Sequence, residues 1–150
     1  MIERFERFTY NISEINHYWH KIASEEMSKY GLKAPFAIYL TVLYRNSDGV
    51  TSVKLGELFD KNKADVSRAV AVLEKRGLVV REGVGHSLNR AKVKLTDEGK
   101  SAAEQVQKAV ISAVEMGGDG LSEENRDIFY NSLERISNNL KQLTEKNKRI

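Results

Sequence analysis

The stretch Lys63–Thr96, KADVSRAVAVLEKRGLVVREGVGHSLNRAKVKLT, constrains the fold more than any other part of the chain. Val66, Ala69, Val70 and Leu73 recur at the spacing of one helix face. Ala64, Asp65, Ser67 and Arg68 are left on the opposite side, near the N-terminal end. Gly77 stands where glycine best takes a left-handed C-cap, so the spacing predicts a helix over about Lys63–Arg76 that stops there. Leu78–Arg81 and Ala91–Leu95 read as strands. Gly83, Gly85, His86, Ser87 and Asn89 between them make a loop rather than a two-residue turn.

The flanking sequence is helical in pattern. Phe5, Phe8, Ile12, Ile15, Trp19 and Ile22 step by three and four residues along a first helix, Ile2 to about Tyr30, which Gly31 ends. A second helix opens at Pro35, with Phe36, Leu40 and Leu43 on one face. Asn46-Ser47-Asp48-Gly49 is a turn, and Val50 adds a short strand before Ser52, the expected cap of a short third helix with Leu55, Leu58 and Phe59 inward. After the hairpin, Thr96 caps a fifth helix, with Asp97 and Glu98 favourable against its dipole. Gly117-Gly118-Asp119-Gly120 breaks the chain. Ser122 then opens a sixth helix whose Phe129, Leu133, Ile136, Leu140 and Leu143 repeat the three-and-four stepping.

Composition narrows the class. The chain has 150 residues, 41% hydrophobic and 30% charged, enough for a sizeable core and unlike wholesale disorder. It has no cysteine, which removes disulfides and thiolate chemistry. No apolar run approaches the roughly 18 residues of a membrane span, and MIERFERFTY lacks a signal-peptide layout, so a cytoplasmic location and no membrane contact are expected. The net charge of +3 is unevenly spread: residues 1–50 balance at 0, residues 51–95 at +5 and residues 96–150 at −2. The excess positive charge coincides with the helix and hairpin, as neutralisation of phosphates requires; a solvated basic face has the same signature.

Candidate functional residues cluster there. Asn62, Lys63, Ala64, Asp65, Ser67 and Arg68 form the exposed start of the fourth helix. Arginine can read guanine O6/N7, aspartate can accept from cytosine N4, and alanine can touch a thymine methyl. An ordinary amphipathic helix also shows such a polar face. Arg81, Arg90, Lys92 and Lys94 put cations on the hairpin, where they can reach phosphates or the minor groove; charged hairpins also protect strand edges. Elsewhere, Tyr18, Tyr39 and Tyr44 with Arg45 as counter-charge are candidates for holding a small aromatic or anionic effector, although core packing is the more ordinary role for most such aromatics. His17 and His20 lie one turn apart but lack a clear third ligand, so no metal site and no cofactor are assigned. No phosphate-binding loop, nucleophile elbow or Ser/His/Asp order occurs, and no enzyme is expected.

These motifs together resemble the MarR (multiple antibiotic resistance regulator) family of winged helix-turn-helix transcription factors. The resemblance is carried by Leu55-Gly56-Glu57, Lys63-Ala64-Asp65-Val66-Ser67-Arg68, Leu73-Glu74-Lys75-Arg76-Gly77-Leu78-Val79 and Val93-Lys94-Leu95-Thr96-Asp97-Glu98-Gly99. It implies a homodimer that binds double-stranded DNA at a roughly palindromic operator. It further implies repression more often than activation, and a ligand where dimerisation helices meet the DNA-binding lobe. One departure concerns the wing: Ser87 and Asn89 stand where the family pattern has Asp and Arg, and Arg90 is the nearest cation.

The expected architecture is mainly α, a winged helix-turn-helix with a small β-wing and a helical dimerisation region drawn from both termini. Residues 1–34 form the N-terminal dimerisation helix, 35–96 the DNA-binding lobe and 97–150 the C-terminal dimerisation helices. The terminal seams can pack on their own chain or on a second copy. A module of this kind needs recognition helices about 34 Å apart, which favours the dimer. Two other classes fit less of the sequence: a winged-helix module that binds protein instead of DNA, and a small metal-dependent protein using His17 and His20.

Overall fold

A computed structural model describes residues 2–83 and 91–147. The chain divides into two compact units, Met1–Ala113 and Val114–Ile150. The described elements are α1 (Ile2–Ser28), α2 (Phe36–Arg45), β1 (Val50–Thr51), α3 (Ser52–Phe59), α4 (Lys63–Lys75), β2 (Val79–Glu82), β3 (Lys92–Leu95), α5 (Asp97–Gly117) and α6 (Glu123–Asn147). The strands form an antiparallel sheet in the order β1-β3-β2. Mainly helical with a small sheet, this is the fold class the sequence predicts.

The core of the first unit is built from the periodic positions. Leu40 and Leu43 of α2, Leu55 of α3, and Val66, Val70 and Leu73 of α4 are buried with Val93 of β3, Val106 of α5 and Met27 of α1. Each such side chain removed from water contributes about 1.5–3 kcal/mol. Two expectations on α3 need correction. Thr51, not Ser52, is the cap: the Lys54 N–H donates to Thr51 Oγ1 at 3.2 Å, while Ser52 is buried as the first helical residue. Leu58 is 51% exposed instead of inward. Phe59 takes the inward place by packing its ring on Tyr39, with centroids 4.5 Å apart, and the chain then turns sharply at Asp60.

The end of α4 carries a full Schellman closure. The Gly77 N–H donates to the Glu74 carbonyl at 2.9 Å and the Leu78 N–H to the Leu73 carbonyl at 3.0 Å, with Gly77 at φ +70°. This is the stop read from the sequence. Thr96 is tied to the same place. Its N–H donates to the Leu78 carbonyl at 3.0 Å and its hydroxyl to the Gly77 carbonyl at 2.6 Å, while the Gly99 N–H donates to Thr96 Oγ1 at 3.0 Å. Gly99 presses so closely on Leu78 that a β-carbon there would collide with the Leu78 carbonyl oxygen. One knot therefore joins the end of α4, the base of the hairpin and the start of α5.

In the second unit, Ser122 Oγ accepts from the Asn125 N–H at 3.3 Å as the cap of α6. Arg126 lies within ion-pair distance of Glu115, at 3.4 Å, and of Glu123, at 3.7 Å. No described helix is long and apolar enough to cross a membrane.

Candidate nucleic-acid interface

The exposed start of α4 is organised by Asn62. Its Oδ1 accepts from the Asp65 N–H at 2.9 Å, satisfying one of the helix's orphan donors. Its Nδ2 donates to Asp65 Oδ2 at 2.8 Å, and the other carboxylate oxygen, Oδ1, takes Arg68 Nη2 at 2.5 Å. Asn62, Asp65 and Arg68 thus form one continuous polar chain over the first turns of α4. Lys63, Ala64, Ser67 and Arg68 are exposed beside it and Asp65 is half-buried. Val66 and Val70 on the opposite face are fully buried and anchor the helix. All six residues picked from the sequence at this helix start lie on one accessible surface or at its edge.

The hairpin cations do not form one set. Strand alternation puts Arg81 opposite Val93, on the sheet face that Val79 and Val93 bury. Its side chain is only 16% exposed and lies against α4, with Nε 3.2 Å from Glu74 Oε2 and Nη2 donating to the Ser67 carbonyl at 3.4 Å. Lys92 and Lys94 have the opposite parity. Lys92 is exposed, and Lys94 pairs with Glu82 at 2.6 Å. The hydrogen bond to Glu82 raises the Lys94 pKa above its ordinary value, so this side chain stays charged throughout the neutral range. Glu74 and Glu82, the partners of these cations, were not among the sequence candidates. The two-residue period that places Val79 inward puts Arg81 on the same face; that Glu74 meets it there depends on how α4 packs on the sheet. Arg90, with Ser87 and Asn89, lies outside the described residues.

The effector candidates are dispersed. Tyr18 is exposed with its ring edge-on to His17, and the Tyr44 hydroxyl donates to Glu104 Oε1 at 3.1 Å. Arg45 is exposed at the end of α2. Tyr39 is buried on Phe59, and that burial raises its pKa. Two cavities of about 300 and 290 Å³ do exist in the first unit. The larger lies between α1, α2 and α5 and is lined by Trp19, His20, Ala23, Ile38, Thr41 and Val110, among others. The smaller is lined by Pro35, Phe36, Tyr39, Lys61, Asp65 and Ala69. Only Tyr39 of the four candidates borders either. His17 and His20 gain no third ligand: no group of three His, Cys, Asp or Glu side chains suited to a metal occurs among the described residues.

A sequence model of the MarR family matches residues 30–87, which take in α2 through β2. Solved structures of that family share the fold. A MarR transcriptional regulator from Methanosarcina mazei Go1 aligns at TM-score 0.78 and 23% identity, over 92% of this chain and 99% of that one. A MarR family transcriptional regulator from Listeria monocytogenes, solved with a 26mer DNA, aligns at 0.77 and 20% identity, over 88% and 87%. MepR of S. aureus, solved as a DNA complex, aligns at 0.77 and 20% identity, over 88% and 97%. No curated protein matches significantly. At such identities the structures speak for the fold. Together with the sequence match across the helix-turn-helix, they make the chain similar to MarR family transcriptional regulators, whose fold it shares.

Proposed function

We propose that this protein binds duplex DNA as a homodimer and acts as a repressor at a pseudo-palindromic operator. The observation that carries the reading is the accessible start of α4, where Asn62, Lys63, Ala64, Ser67 and Arg68 surround a helix held rigidly from behind. A helix presented this way suits the major groove, with its N-terminal residues on base edges. The exposed Lys92 adds a phosphate contact, and the DNA complexes of the Listeria and S. aureus proteins support the same use of this fold. Apolar stripes on α1 and on α6 support the dimer, since Phe5, Ile15, Leu140 and Leu143 are each at least half exposed in the single chain. A small aromatic or anionic effector would release the DNA. The cavity beside Trp19, between α1, α2 and α5, is its natural seat.

A gel-shift titration on genomic fragments that include the chain's own promoter tests the reading. A repressor should shift a small subset of fragments, with affinity falling steeply as salt rises. A winged-helix module that binds only protein would show no salt-dependent duplex affinity.

A further inference from the structure

We propose that Asp65 is a positioning residue for sequence selection: it holds Arg68 in the geometry that reads guanine and does not itself read a base. The inference rests on the DNA-binding function proposed above and assigns how that surface discriminates. Both carboxylate oxygens of Asp65 are engaged, Oδ1 by Arg68 Nη2 at 2.5 Å and Oδ2 by Asn62 Nδ2 at 2.8 Å. Asn62 is in turn fixed by capping the helix through the Asp65 N–H. The carboxylate is therefore braced from the backbone side, and each of its oxygens already accepts one hydrogen bond. Arg68 is the outward member, with a side chain 72% exposed against 42% for Asp65. Its guanidinium has five donors in a rigid plane, and the carboxylate takes one of them, on Nη2. The remaining donors suit the paired acceptors O6 and N7 of guanine.

Two physical consequences follow from the pairing. An unbraced arginine samples many rotamers and reaches whichever phosphate is nearest, which adds affinity for any sequence. The carboxylate lowers that option by restraining the side chain and by adding a negative charge that phosphates repel. Asp65 thus raises the ratio of specific to non-specific binding while lowering the absolute affinity for random DNA.

The test uses the full-length protein. Wild type, Asp65→Asn, Arg68→Ala and the double variant are each selected on a randomised duplex library, then titrated against the wild-type consensus and a scrambled duplex at several salt concentrations. Helix content and melting temperature are recorded for each. The expected result has three parts. Asp65→Asn should lose preference for guanine at the Arg68 position by roughly tenfold or more. It should gain affinity for the scrambled duplex, with a salt slope steeper by about 0.9 from one new phosphate contact. It should have no further effect on base preference once Arg68 is alanine. Asp65→Glu, which keeps the charge but lengthens the arm, should fall between Asn and wild type.

Additive effects, with Asp65→Asn losing preference for cytosine at a separate position, would make Asp65 a base reader and overturn the proposal. So would an unchanged consensus in a folded Asp65→Asn variant. A wild-type protein that selects no sequence at all would instead overturn the underlying DNA-reading function.

Discussion

Thr96 shows how one hydroxyl can hold several elements together. It accepts from the Gly99 N–H, donates to the Gly77 carbonyl, and so joins α5 to the end of α4. Thr96→Val keeps the shape and removes both bonds, leaving a helix N–H and a carbonyl to find water. A loss of about 1–2 kcal/mol is expected in urea denaturation, with Thr96→Ser close to wild type. Gly99→Ala should cost more, because its β-carbon meets a backbone carbonyl that cannot swing aside; equal midpoints for Gly99→Ala and wild type would refute the close packing. The capping role of Thr96 and the stop at Gly77 were legible in the sequence, since each follows from local backbone chemistry. The contact between Leu78 and Gly99 was not, because it depends on where distant segments meet. The misplaced cap at Ser52 has a similar cause: two adjacent hydroxyl residues can each serve, and the burial of Ser52 leaves the role to Thr51.

At the scale of elements, the sheet decides which cation can do what. From the sequence, Arg81, Arg90, Lys92 and Lys94 looked like one positive patch. The two-residue period of β2 and β3 separates Arg81 from Lys92 and Lys94, sending Arg81 to the α4 side and Lys92 outward. The two side chains should therefore fail differently. Lys92→Ala is expected to weaken binding to all sequences alike and to lower the salt slope by about 0.9, the value of one phosphate contact. Arg81→Ala is expected to leave the slope unchanged. It should instead lower the melting temperature, because Glu74 loses its partner and the α4–β2 contact loosens. A reduced slope for Arg81→Ala would return it to the phosphate footprint. The effector candidates scattered for a related reason. Tyr18, Tyr39 and Tyr44 share a chemistry but not a helix face, and the larger cavity is lined by Trp19 and small residues such as Ala23, whose short side chains leave the space beside them unfilled.

At the scale of the molecule, a single recognition surface is too small to select one site among many. On the proposed reading, one α4 offers a few side chains to bases, and each matched base pair contributes only about 1–3 kcal/mol of discrimination. Two copies on one duplex bind far more tightly, because the second contact becomes intramolecular and gains a factor of roughly 100–10,000. In the proposed dimer the apolar stripes are the surfaces that pair. On α1 they run through Phe5, Phe8, Ile12, Ile15, Trp19 and Ile22, and on α6 through Phe129, Ile136, Leu140 and Leu143; all are exposed in the isolated chain. Helices this apolar on one face rarely remain bare in water. Ile15→Glu and Leu140→Glu, made separately, place a charge within each stripe without touching α4. Sedimentation equilibrium should show the wild type as a dimer and at least one variant as a folded monomer. That monomer should retain weak, salt-dependent binding to duplex DNA and lose roughly a hundredfold or more in affinity for the selected site. A wild-type monomer that selects a palindrome unaided would overturn the dimer. A monomeric variant with undiminished affinity would instead show that one copy of α4 suffices.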